Sequence, residues 1–321
     1  MQDNIKVAVI GAGAMAREHI RAFQAVSGTS VVGITSRTTS RAEALAKEYS
    51  IATVAETQSQ LLAKGPIDLM VVAVPEYASR AVISEVIDAG IPVLAEKPIG
   101  LHLADCLDVV NKAEAAKVPL WVGLNRRCYS SSLAALKGLE DDPNPRFIDV
   151  HDQQSRADAI AIGYCSDIVE NWMYANSIHL VDYVAAFGRG DIANVLVTDH
   201  WQRDAASCVV SAHVSFSSGD IAHYTAVWGQ PGPWSCSVTT AKNRWEMRPL
   251  EVAKVQKAGT RVLEDVPIDQ VDKDFKAVFH FQAQDVVSAV RNGQAANYVP
   301  DGAEALRVTR LLAQIYEIET R

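Results

Sequence analysis

The chain is poor in cysteine, and no cysteine is placed to pair locally or to hold a metal. Its five (Cys106, Cys128, Cys165, Cys208 and Cys236) are dispersed, with no C-x-x-C pair and no closely spaced histidine. That leaves out a disulfide scaffold and a zinc site, and it predicts reduced thiols in a cytoplasmic protein. Blocks of about five or six like charges are also missing, and 38 acidic against 30 basic residues give a net charge of -8. A non-specific nucleic-acid surface needs clustered Lys and Arg, so no nucleic-acid partner is expected. No stretch approaches the roughly 18 apolar residues of a membrane span, so no membrane partner is expected either. Repeats and low-complexity segments are absent. At the start, the apolar run Val7–Ile10 is cut short by Gly11, and Asp3 stands where a basic leader would be. A strand entering a turn explains this better than a secretory signal.

What is present is enough for two hydrophobic cores: 321 residues, 49% of them hydrophobic. The first part alternates strand and helix. Strands are expected at 5–10, 31–35, 68–74, 93–95 and 120–123. Helices are expected at 14–26, at 41–49 behind a Ser40/Glu43 capping box, at 79–89 closed by Gly90, and around 103–116. Strands apolar on both faces between amphipathic helices require a parallel sheet covered on both sides. This predicts a doubly wound α/β domain over residues 1–123, with its ligand at the carboxyl ends of the strands.

From Arg146 onward the pattern changes. Short, partly alternating strands are expected at 147–151, 195–201, 208–216, 221–228, 235–240, 244–248 and 252–257, separated by Gly-, Ser- and Pro-containing turns. A half-exposed, mostly antiparallel open sheet follows, with one helix from about Ile168 to Phe187 packed on it. Asp301 and Glu304 cap a last helix bearing Leu306, Leu311, Leu312 and Ile315. Residues 124–321 are thus expected to form a second, α+β domain.

Three segments of the first domain carry chemistry. Gly11-Ala12-Gly13-Ala14-Met15-Ala16 is a G-x-G-x-x-A turn directly after a strand and opening a helix. Gly11 allows the tight turn, Gly13 lets backbone approach a pyrophosphate, and Ala16 is small enough for close helix–strand packing. The amides at the helix start supply the anion site. NAD-preferring sites place a carboxylate about 20 residues further on, at the end of the second strand. Here that position reads Ser36, Arg37, Thr38 through Arg41, hydroxyls and guanidiniums suited to a 2′-phosphate. NADP is therefore expected over NAD, with NAD still possible. Val74 and Pro75 close the third strand beside the same crevice, and Glu96-Lys97-Pro98 follows the strand after it.

Together with His179-x-x-Asp182, the G-x-G-x-x-A turn and Glu96-Lys97-Pro98 resemble the glucose–fructose oxidoreductase / inositol dehydrogenase / rhizopine catabolism family of NAD(P)-dependent oxidoreductases. The resemblance covers most of the chain and is strongest over residues 5–127 and 171–188. It implies that Lys97 lies near the nicotinamide and the substrate hydroxyl, and that His179 acts as acid or base. A histidine exchanges protons near neutral pH, and an ammonium stabilises a developing alkoxide. Asp182, one turn on, is expected to orient His179 or to bind a substrate hydroxyl. The resemblance also implies homodimers or homotetramers assembled through the open sheet.

The chain departs from the family pattern at Ala175, where an Asp is common four residues before the histidine, and at Ser79, where a histidine is common. Both changes fall on the substrate side, so inositol specificity does not carry over. Asn125, Arg126, Trp172, Tyr174 and Asn176 are the expected substrate contacts, suited to a sugar-like ring stacked on an aromatic face and to an anionic group paired with Arg126. No metal is expected. The reading is hydride transfer between a nicotinamide and a secondary hydroxyl or carbonyl. Two alternatives stay open: a cofactor-binding regulator without turnover, and a glycosidase that uses its nicotinamide as a redox relay.

Overall fold

The computed structural model describes residues 4–318. Two compact units are present: the residues up to Cys128 together with Gln270–Leu306, and Tyr129–Asp269 together with the residues from Arg307 on. The expected boundary after residue 123 falls close to Cys128. The expectation that everything beyond it forms one second domain is corrected, because residues 270–306 return to the first unit.

The first unit contains β1 (Ile5–Ile10), β2 (Thr29–Thr35), β3 (Thr53–Ala55), β4 (Leu69–Val72), β5 (Val93–Ala95) and β6 (Leu120–Val122). Between them run α1 (Ala14–Ala25), α2 (Thr39–Tyr49), α3 (Gln58–Leu62), α4 (Glu76–Asp88) and α5 (Leu103–Ala116). All six strands are parallel in the order β3-β2-β1-β4-β5-β6. The order reverses between β1 and β4, the switch point at which doubly wound sheets bind ligands. Strands β4, β5 and β6 are buried throughout, as strands covered on both faces must be.

Local differences from expectation have local causes. The short pair β3 and α3 carries too few residues to show a period. The Ser40/Glu43 capping box does not form. The Ser36 hydroxyl accepts the Thr38 amide at 3.3 Å, and the Thr38 carbonyl already accepts from Arg41 and Ala42. Helix α2 therefore starts at Thr39 and places Ser40 inside its first turn. Helix α4 likewise begins at Glu76, directly on Pro75, because proline presets the helical entry.

The second unit contains α6 (Ser130–Leu139), α7 (Arg156–Ala161), α8 (Ser166–Glu170) and α9 (Ile178–Phe187). Its strands are β7 (Phe147–Gln154), β8 (Ile192–Asp199), β9 (Cys208–Phe216), β10 (Ile221–Trp228), β11 (Ser235–Thr239), β12 (Asn243–Met247), β13 (Ala253–Lys257) and β14 (Glu264–Asp265). They form one open sheet, β14-β13-β12-β11-β7-β10-β9-β8. Its pairs are antiparallel except β7 with β10. Alternate residues of β9 and β10 are buried, and α9 packs over β7, β10 and β11. The Asp220 carboxylate accepts from the Arg146 and Arg189 amides and from the Arg189 guanidinium.

The single helix expected over 168–187 is corrected. It is broken into α8, one π turn over Met173–Ser177, and α9. The Asn171 side chain donates to the Asp167 carbonyl at 2.9 Å, competing with the backbone ladder where α8 ends. The π turn then takes up an extra residue.

The chain returns to the first unit through α10 (Val271–Asp274) and α11 (Phe279–Asn292), the latter packed on α1. Buried Asp285 accepts the amides of Asn297, Tyr298 and Val299 at 2.9, 2.8 and 2.9 Å. That places the Pro300 carbonyl 2.9 Å from the Val122 amide at the β6 edge. The last helix, α12 (Gly302–Ile315), is capped by Asp301 through the Glu304 amide at 2.8 Å. The Glu304 carboxylate pairs with buried Arg127. No described helix is long and apolar enough to cross a membrane.

Candidate active site

The carboxyl ends of β1, β2, β4 and β5 bring the expected cofactor residues of the first unit to one edge. Gly11 has φ +122°, and a Cβ there would overlap the Ala73 carbonyl at the end of β4. The protein's own packing thus demands that glycine. Gly13 differs: its backbone is extended, and a Cβ would meet nothing within 4 Å. Nothing in the fold requires glycine there, which fits a position reserved for close approach of a ligand. No side chain caps α1 and no acidic residue stands in its first turn, where Ala14 and Met15 lie. The amides there are available to an anion. Ala16 is wholly buried, as close packing of α1 on the sheet requires. These features fit a dinucleotide pyrophosphate.

At the end of β2, Thr35 is tied to Ala55 O at 2.8 Å, and Ser36 to Arg41 follow on the surface without a carboxylate. The Arg37 guanidinium lies 5.8 Å from the centroid of the exposed Tyr77 ring. Thr38 and Arg41 are exposed beside it. Val74 and Pro75 lead from β4 into α4, the first half-buried and the second exposed.

Glu96 and Lys97 follow β5. The sequence reading missed the partner of Glu96. His19, buried on α1, has its Nε2 2.8 Å from Glu96 Oε1. Its ring stacks near Phe23 and meets Phe279 edge-on at 4.9 Å. Burial by itself raises the Glu96 pKa, but the His19 hydrogen bond and the nearby Lys97 and Lys276 charges outweigh it and hold the carboxyl low. The Lys97 pKa is lowered as well, which for a lysine favours the neutral form. Burial lowers its pKa, Arg126 and Lys276 reinforce this, and Glu96 and Glu76 oppose it only in part. Asn125 and Arg126 sit on a 3₁₀ turn past β6 and are partly exposed, whereas Arg127 is buried. The signal for His19 was present: it lies three residues beyond Ala16, on the face that α1 buries.

In the second unit, His179 and Asp182 lie one turn apart on α9, and both are buried. Ser177 Oγ, at the end of the π turn, accepts from Tyr316 OH at 3.2 Å. Tyr174 is wholly buried, as is Ala175 where the family commonly has Asp. Trp172 Nε1 and Asn176 Nδ2 each lie 2.9 Å from Gln154 Oε1. Gln154 Nε2 donates to Asp152 Oδ1 at 2.6 Å, and Tyr224 OH donates to Asp152 Oδ2 at 2.8 Å. Burial and the Asp152 charge raise the Tyr224 pKa. Trp172, Asn176, Gln154 and Trp234 line a cavity of about 300 Å³. The sequence reading missed Asp152, Gln154 and Trp234. The buried phase of β7 runs Ile148, Val150, Asp152, Gln154. Two polar residues at core positions were a legible sign of a hydrogen-bonded network.

A doubly wound sheet with a glycine turn at its switch point is the frame of a dinucleotide-binding domain. Residues 5–124 match the Gfo/Idh/MocA model, the oxidoreductase family with an NAD-binding Rossmann fold. It is 33% identical over 108 residues to inositol 2-dehydrogenase 1 of Saccharopolyspora erythraea, a match spanning 33% of this chain and 32% of that protein. The matched stretch thus spans about a third of the length of that curated relative. Solved structures match over the whole chain. A dehydrogenase from Chromobacterium violaceum has a TM-score of 0.83 at 19% identity, covering 99% of this chain and 96% of that one. The UDP-N-acetylglucosamine 3-dehydrogenase of Acidithiobacillus ferrooxidans has a TM-score of 0.78 at 16% identity, covering 97% and 96%. At such identities these likenesses establish the fold.

Proposed function

We propose that the chain is an NADP-preferring oxidoreductase that moves a hydride between nicotinamide and a secondary hydroxyl or carbonyl of a sugar, cyclitol or sugar derivative. The observation that carries the reading is Lys97: an ammonium with a lowered pKa beside a histidine-held carboxylate, at the sheet edge whose glycine turn fits a dinucleotide. The nicotinamide, when bound, supplies the redox step. Lys97 stabilises negative charge on the reacting oxygen. His179 takes or gives the hydroxyl proton. Gly11, Gly13 and the first turn of α1 hold the pyrophosphate, and Ser36, Arg37, Thr38 and Arg41 receive the 2′-phosphate. The inositol and UDP-N-acetylglucosamine dehydrogenases among the similar proteins support a ring substrate.

Cytoplasmic residence belongs to the same reading, supported by five free thiols. So does a homodimer or homotetramer. Phe147 and Ile221 are adjacent in register and both exposed on the outer face of the second sheet. A light-scattering mass of one chain would remove the oligomer.

The test is a titration with NADPH and NADH followed by tryptophan quenching, then a 340 nm screen of sugars, polyols, uronates and their oxidised forms. Tighter NADPH binding with turnover of a ring alcohol or ketone is expected. Tighter NADH binding would remove the NADP preference, and no turnover of any candidate would remove the enzyme.

A further inference from the structure

Helix α9 starts from a register that its own residues do not dictate. The Ile178 amide donates to the Met173 carbonyl, five residues back, which makes Met173–Ser177 a π turn. Residues 172–178 contain neither glycine nor proline, so no local breaker forces this rare ladder.

Side chains from elsewhere in the unit pin the turn at both ends. At its start, Trp172 donates its N–H to Gln154 Oε1 at 2.9 Å, and Tyr164 packs edge-on against its ring at 4.9 Å. At its end, Asn176 Nδ2 donates to the same Gln154 oxygen at 2.9 Å, and Ser177 Oγ accepts from Tyr316 OH at 3.2 Å. With start and end held, the residues between them cannot rewind into an α turn unless a pin breaks.

Both sets of pins lead back to one carboxylate. Asp152 Oδ1 accepts from Gln154 Nε2 at 2.6 Å. A carboxylate only accepts, so the Gln154 amide must turn its oxygen toward Trp172 and Asn176. Asp152 Oδ2 accepts from Tyr224 OH at 2.8 Å, and Tyr224 OH lies 3.1 Å from Tyr316 OH. Asp152, Gln154, Ser177, Tyr224 and Tyr316 are all buried. Unmet polar groups are costly there, so the set is held or lost together.

The consequence falls on His179. One residue is about 100° of α-helix. Because the turn takes up an extra residue just before α9, His179 points where Ile178 would point in a helix wound without it.

We propose that Asp152 is a positioning residue: through Gln154 and Tyr224 it holds the π turn, and the turn makes α9 present His179 in place of Ile178. That His179 then moves a proton rests on the oxidoreductase reading; the hold of Asp152 on the turn does not.

The experiment is a pair of crystal structures of the full chain, Asp152→Leu and Asp152→Asn. Asparagine can still accept from Gln154 and can donate to the Tyr224 oxygen, so the π turn should stay. Leucine does neither, and the Ile178 amide should move to the Tyr174 carbonyl in an α turn. Gln154→Leu, which cuts one arm only, serves with the same expectation if Asp152→Leu does not fold. In the 340 nm screen of sugars, polyols, uronates and their oxidised forms, the leucine variant should show kcat lowered about tenfold or more. Asp152→Asn should rescue it, and NADPH affinity should be unchanged in both. A π turn retained in the leucine variant, or lost in Asp152→Asn as well, would overturn the proposal. A relaxed turn with unchanged kcat would sink the acid–base role of His179 and leave the hold of Asp152 on the turn standing.

Discussion

His19 Nε2 stands 2.8 Å from Glu96 Oε1, a contact that ties helix α1, which opens at the glycine turn, to the loop that carries Lys97. The glycine turn and the Lys97 loop are therefore linked by one part-buried bond. His19→Phe keeps a ring between Phe23 and Phe279 but removes the bond. The Glu96 pKa is held below its ordinary value, so its contribution to stability is present above that value and is lost as the pH falls through the lower folded one. In the variant the folded pKa rises, and acid unfolding should begin at higher pH. An unchanged acid midpoint would show that the bond does not stabilise the carboxylate.

Lys97 has its pKa lowered, first by burial. If its ammonium supports turnover, kcat should fall along a basic limb lying below the ordinary lysine range. Lys97→Met should abolish that limb and lower kcat by about 10²–10⁴-fold, with dinucleotide affinity little changed. The stability sign is the opposite of the kinetic one. A charged lysine disfavoured by the fold costs stability below its folded pKa, so Lys97→Met should not lower the melting temperature at neutral pH.

The two glycines of the turn should separate cleanly. Gly11→Ala places a Cβ at φ +122° against the Ala73 carbonyl and should cost more than about 1 kcal/mol of stability. Gly13→Ala meets no protein atom within 4 Å. It should leave the melting temperature alone and weaken NADPH about tenfold or more. Equal effects of both on melting would show that Gly13 serves the fold.

Arg37 lies over Tyr77 at 5.8 Å on an exposed surface. Arg37→Ala should weaken NADPH by roughly tenfold while barely changing NADH, since a charge-assisted bond to phosphate is worth about 1.5–3 kcal/mol. Fluorescence titration with both cofactors decides it, and equal losses would retire the 2′-phosphate assignment.

Much of this was legible in the residues themselves. Strands β9 and β10 and helix α5 run where their alternation and periodicity place them, because each pattern is local. Gly11, Gly13, Glu96 and Lys97 stand in a motif whose spacing follows from one strand–turn–helix unit. The sequence predicts one unbroken helix through His179, since nothing local announces the π turn at Met173–Ser177. Asp152 and Gln154 fall outside the strand the sequence predicts at 147–151, because the buried face of β7 turns polar just beyond it.

Sequence alone determined the doubly wound class, the position of the glycine turn and the lack of a carboxylate after β2. Those depend on residue identity and on periods of a few residues. Only the tertiary structure decided that residues 270–306 rejoin the first unit, that His19 holds Glu96, and that Gln154 joins Asp152 to Trp172 and Asn176. Each depends on groups far apart in the chain, such as His19 and Glu96 at a separation of 77 residues. Which donor meets which acceptor over that span is set by packing, and a linear pattern does not encode it.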